Sequence, residues 1–187
     1  MFGRLFSKGG FGSSKRDVPY EIYGSLVARA RNPALYRDLG VPDTINGRFD
    51  MMVMHVFLLS HRLKDAGDEC RELSQSLFDA FLLDMDRGMR EEGVGDTSVP
   101  KKLKKMTQVY YGRLRAYETP LEEGDKPAIA EIINRNIFTD EHNDECANAL
   151  ADYMLSLHAH IEALSVEDIL NGDIGFDAIE PTTPKTS

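Results

Sequence analysis

Five histidines, two cysteines and a scatter of carboxylates are the groups in this 187-residue chain that could do chemistry, and their spacing argues against most of it. A carboxylate-bridged di-iron bundle needs Glu-x-x-His pairs facing inward, and the sequence has none. His55 and His61 are six residues apart and His158 and His160 two apart, so a helix sends each pair to different sides. All five histidines therefore read as hydrogen-bonded structural or surface residues rather than metal ligands. Gly93 and Gly95 follow a helix and precede only a short capped start, which is not a phosphate loop. No GxSxG or CxxC occurs, and Cys70 and Cys146 lie on apolar helical faces, where buried free thiols are the main reading and a structural disulfide the other. Asp79, Asp84 and Asp86 could do acid–base work, but Asp86 and Arg90 at i, i+4 are more simply an ion pair. No catalytic residue, cofactor or metal is expected.

What remains is chemistry of contact. The stretch VPDTINGRFDMMVMH, Val41 to His55, combines turn residues, the Arg48–Phe49 pair and a methionine-rich run. Arg90 to Met106, REEGVGDTSVPKKLKKM, has the same character. Six basic residues and no acid lie between Ser98 and Tyr117. On a helix, Lys101, Lys105, Gln108, Gly112 and Arg115 share the face opposite the apolar one, with Lys102, Lys104 and Arg113 beside them. A solvated face is the plain alternative. Gly112 argues for more, since an interior glycine costs about 1 kcal/mol against alanine; close approach of another surface, internal or external, explains it. Met51, Met52, Met54, Met85, Met89 and Met106 supply adaptable apolar surface, and core gap-filling is their other reading. Met51, Met54 and Leu58, on a second apolar side, are the candidates for a groove.

The elements that must position these residues are all helical. Asp17 caps a helix to about Arg31, a short turn-like helix spans Pro33 to Leu39, and GVPDT breaks the chain. A central helix from about Asn46 to Ala66 carries Phe49, Met52, Val53, Val56, Leu59 and Leu63 at 3.6-residue spacing. Further helices are expected over Glu69–Glu92, Val99–Tyr117, Ala128–Phe138 and about Glu141–Leu164, with TPLEEGDKP as a loop. SVED at Ser165 to Asp168 is a short capped turn. The expected fold is all-α, one compact domain of about six to seven helices over residues 17–164. A flexible basic leader, 1–16, precedes it and an acidic tail, 165–187, follows.

Composition sets the surroundings. The net charge of −9 divides into +4 over residues 1–117 and −13 over residues 118–187, a polarity that suits oriented docking or attraction between the two parts. The longest apolar run, Met51 to Leu59, falls short of the roughly 20 residues that span a bilayer. The leader has no secretory pattern; with Arg4, Lys8, Phe2 and Phe6 it is either a plain flexible end or a contact for an anionic bilayer surface.

Four blocks, YGSLVARARNPALY, GVPDTINGRFDMMVMH, LFDAFLLDMDRGMREEGVGD and VPKKLKKMTQVYYGRLRAY, resemble the ubiquinol–cytochrome c chaperone family, assembly factors of respiratory complex III. The likeness covers about Tyr20 to Leu164 and is nearest the bacterial branch. It implies a non-enzymatic helical protein that binds newly made cytochrome b, as nascent chain or assembly intermediate. A location in the bacterial cytoplasm, peripheral to the inner membrane, goes with it; an anionic membrane surface or the ribosome is a further expected contact, and DNA is not. By resemblance Gly47, Arg48, Phe49 and His55 belong to one signature, and Asp86, Arg90, Gly93, Gly95, Asp96, Pro100, Lys101, Tyr111, Gly112 and Arg113 to later ones. A helical nucleic-acid-binding protein using the same lysines is the rival, weakened by the acidic total and the lack of interleaved aromatics.

Overall fold

The computed structural model describes residues 18–139, 141–176 and 181. The proposed Asp17 cap, the basic leader and the last part of the acidic tail lie outside them. Eight helices and no strand occur among the described residues: α1 Val18–Ala30, α2 Pro33–Arg37, α3 Ile45–Leu63, α4 Asp68–Glu91, α5 Val99–Glu123, α6 Lys126–Asn136, α7 Asp144–Ala163 and α8 Val166–Leu170. The all-α expectation holds, with two of the eight only five residues long.

Helix α3 is the centre, packed against α1, α4, α5 and α7. Its expected stripe and its second apolar side are both buried, so the helix is covered on nearly every face. Asn32, Thr44, Asp125, Asn143 and Ser165 each cap a helix by accepting a backbone N–H, satisfying donors that a helix start leaves unpaired. The entry to α3 is the tightest of these joints. Thr44 Oγ1 accepts from Gly47 N at 3.1 Å, and a Cβ on Gly47 would lie 2.0 Å from the Pro42 carbonyl oxygen. Only glycine fits there, which explains GVPDTING in terms of local packing.

Most boundaries fall within three residues of the expectation, and two depart further. Helix α5 does not stop at Tyr117 but runs through TPLEE to Glu123, ending at Gly124 in the left-handed conformation (φ 65°). Pro120 removes one helical donor and crowds the preceding turn, yet buried Tyr117 and Leu121 hold that turn against the core. Packing outweighs propensity. The core also continues past Leu164: Ile169, Ile174 and Phe176 are buried, and His160 Nε2 donates to the Ile174 carbonyl at 3.0 Å.

Candidate partner-binding surface

The first turns of α3, the last turns of α4 and the front half of α5 enclose a cavity of about 260 Å³. Four methionines line it, Met52, Met85, Met89 and Met106, together with Phe49, whose ring lies 5.7 Å from Phe81. Ile45 stands at the mouth, 58% exposed. The lining also carries both signs of charge, from Arg31, Arg48 and Arg87 and from Asp84, Glu91 and Glu92. Small-molecule sites usually enclose about 300–1,000 Å³, so this pocket is better sized for apolar side chains of another polypeptide. Thioethers on unbranched stems adapt to such guests without a fixed shape.

The methionines expected to form a groove are on the wrong side. Met51, Met54 and Leu58 are at most 1% exposed, buried between α3 and its neighbours, and line no surface. That reading is corrected: an apolar strip on a helix covered all round is core. The methionines that line the cavity are others: Met85 and Met106 are half-buried, and Met52 and Met89 are buried beneath them.

His55 is likewise interior, and its hydrogen bonds form a determined chain. Its Nδ1–H donates to the Met51 carbonyl (2.7 Å), so Nε2 accepts from the Tyr153 hydroxyl (2.8 Å), whose oxygen accepts from Arg29 Nε (3.0 Å). Burial depresses its pKa to about 4, the Met51 bond opposing and the Arg29 charge adding to the shift. His55 is a neutral anchor between α3 and α7, without access to a partner.

Of the charged signature residues only Arg48 lines the pocket; Asp86, Arg90 and Asp96 pair with one another at the end of α4. Arg48 Nε donates to Asp43 at 2.7 Å across the α3 entry turn, and this bond raises the Arg48 pKa and lowers that of Asp43. Arg90 Nε donates to Asp86 at 2.7 Å while another guanidinium nitrogen bonds Asp96. Gly93, at φ 82°, turns the chain there, and Val94 N closes on the Met89 carbonyl at 3.0 Å. Exposed pairs of this kind add little stability, typically about 0–1 kcal/mol; their effect is to fix the loop beside the pocket wall. Asp84 accepts from Tyr23 and Asp79 from Gln75, so both are held by neighbours.

On α5 the expected strip is present. Lys101, Lys102, Lys104, Lys105, Gln108, Gly112 and Arg115 are exposed, as is Tyr111 at 48%. A Cβ on Gly112 would meet nothing within 4 Å, so no internal helix accounts for that glycine. Arg113 does not belong to the strip. It turns inward, Nε donating to Asp50 at 3.0 Å and Nη1 bonding Asn136. Asp50, Asn136, Tyr153 and Arg29 were not legible from sequence, because each is defined by a partner 23 to 124 residues away.

A family model described as "Ubiquinol-cytochrome C chaperone" matches residues 37–176. The chain is similar to the ubiquinol–cytochrome c reductase complex assembly factor 1 of Xenopus laevis, 20% identical over 150 residues, which are 80% of this chain and 74% of that protein. The mouse and human proteins of the same name are each 20% identical over 167 residues; the match covers 88% of this chain but only 56% of each of them. In structure it is similar to the crystal structure of the Cbp3 homolog from Brucella abortus, with a TM-score of 0.81 and 34% identity, covering 89% of this chain and 93% of that one.

Proposed function

This chain belongs to the ubiquinol–cytochrome c chaperone family, and from that premise we propose that it is a complex III assembly factor which holds newly made cytochrome b until it enters the complex. The carrying observation is the methionine-lined pocket with Ile45 at its mouth. It is an adaptable apolar recess, rimmed by both signs of charge, on a chain with no membrane-long apolar helix among its described residues. Apolar side chains of the client's segments enter the recess, and the arginines and carboxylates at its rim meet the polar ends of those segments. The lysine face of α5 extends this surface toward anionic lipid headgroups or the client's acidic loops, in keeping with a site of action at the cytoplasmic face of a bacterial inner membrane.

The test is a photo-crosslinking residue placed at Ile45 or Met85 in cells, with exposed Glu131 on α6 as control position. Adducts with cytochrome b from the first two positions and not the third are expected. Their absence, with the protein expressed and folded, would overturn the pocket as the client site. The nucleic-acid reading has the exposed lysines in its favour, but Tyr111 is the one exposed aromatic ring beside them among the described residues. Salt-dependent retention of RNA without cytochrome b adducts would favour it.

A further inference from the structure

The extension of α5 beyond Tyr117 places Glu118 and Glu122 one turn apart on a helix, facing the last turn of α3. There His61 completes a group whose ligand atoms all lie within 4.8 Å of one another. Its side chain is 7% exposed, and Nε2 points at Glu122 Oε1 from 3.7 Å, too far for a hydrogen bond. We propose that His61, Glu118 and Glu122 form a binding site for a divalent cation of the zinc type, which enters by displacing the ammonium of Lys64.

The geometry is close to what such an ion needs. Zinc bonds imidazole nitrogen and carboxylate oxygen at about 2.0–2.2 Å, which puts tetrahedral ligand atoms about 3.4 Å apart. The His61–Glu122 separation is already near that, and the remaining contraction falls on two glutamates whose side chains are 49% exposed and free to swing. The site attracts cations as it stands: Lys64 Nζ lies 3.1 Å from Glu118 and 2.7 Å from Glu122. Lys64 is itself 39% exposed on a flexible stem, so it can withdraw into water. Imidazole with carboxylates selects zinc-like ions over magnesium, which prefers oxygen alone. The bound ion would tie the end of α3 to the end of α5, about 24 Å along α3 from Ile45 at the pocket mouth.

The experiment is calorimetric titration of the full chain, stripped with a chelator and dialysed, with zinc chloride at pH 7.5 and magnesium chloride as counter-test. One zinc per chain is expected, with no magnesium heat. Glu118→Gln with Glu122→Gln, on the exposed side of the site, should weaken zinc binding more than tenfold while far-UV circular dichroism is unchanged. Lys64→Ala should tighten it, because the competing cation is gone; a simple salt-bridge network predicts no such gain. No binding to the unsubstituted chain would overturn the site. So would equal affinity in the double glutamine chain, or an affinity no tighter in Lys64→Ala.

Discussion

Arg113 on α5 places its Nε 3.0 Å from Oδ1 of Asp50 on α3, and the carboxylate it meets is only 7% exposed. This is the pair that locks the lysine-bearing helix onto the central one. Burial pushes the Asp50 carboxyl above the usual range even though Arg113 pulls the other way, so the acid depends on its partner to stay charged. The same negative charge, second to burial, raises the Tyr117 hydroxyl nearby.

Arg113→Ala should therefore destabilise the fold by about 3–5 kcal/mol, the usual cost of leaving one member of a buried pair alone. Urea denaturation at pH 7 measures it. The loss should shrink on acidification, because a protonated Asp50 costs less to bury than a lone carboxylate. A loss that stays constant down to pH 4 would show that packing, not charge, is what Arg113 supplies. Lys101→Glu with Lys105→Glu, both on the exposed face, should instead leave stability within about 0.5 kcal/mol of the parent and lower cytochrome b accumulation in cells. Normal complex III levels in that chain would remove the strip from the client surface.

Two glycines separate fold from contact. Gly47→Ala sets a Cβ 2.0 Å from a backbone oxygen that cannot move aside cheaply, so severe destabilisation, at least about 2 kcal/mol, is expected in thermal or urea unfolding. Gly112→Ala meets open space on an exposed helix face and should stabilise the isolated protein by up to about 1 kcal/mol. If Gly112 is kept for an approaching partner, that more stable variant should still assemble less complex III. Full assembly by Gly112→Ala would leave the glycine without a partner role.

Local periodicity made the helices legible. The α3 stripe from Phe49 to Leu63 and the α5 stripe Val99, Met106, Tyr110, Leu114 and Tyr117 pack inward, with Leu103 half-buried in the same row. Pro120 hid the end of α5, because the tertiary contacts of Tyr117 and Leu121 that override it are invisible in a local window. The site was legible only in part. Lysines at i, i+4 declare an exposed face by their own spacing, and the structure leaves that face exposed. Whether a methionine is core or recess depends on which neighbours end nearby: Met51 and Met52 are adjacent, yet Met52 lines the cavity and Met51 does not. Helical angle sets Arg113 beside the lysines, but Asp50, 63 residues away, draws it inward.

The neutral state of His55 makes stability depend on pH in a window set by its own shift. Its pKa is about 4 in the fold, against an ordinary value of 6.5. Above pH 6.5 both folded and unfolded chains carry a neutral ring, and the stabilisation is fully present. Between 6.5 and 4 the unfolded chain takes up a proton that the fold refuses, so stability falls as pH falls, by about 3 kcal/mol over the window. His61 and His158, also depressed by burial, add in the same direction, so the His55 share must be read by difference. Urea midpoints at pH 7 and pH 4.5 for the parent and for His55→Gln provide it: the variant starts less stable at pH 7 and should lose less on acidification. In the parent, the His55 ring resonances should stay unshifted from pH 7 to pH 5. A titration of that ring near pH 6.5 would mean that the Arg29–Tyr153–His55 chain opens to water.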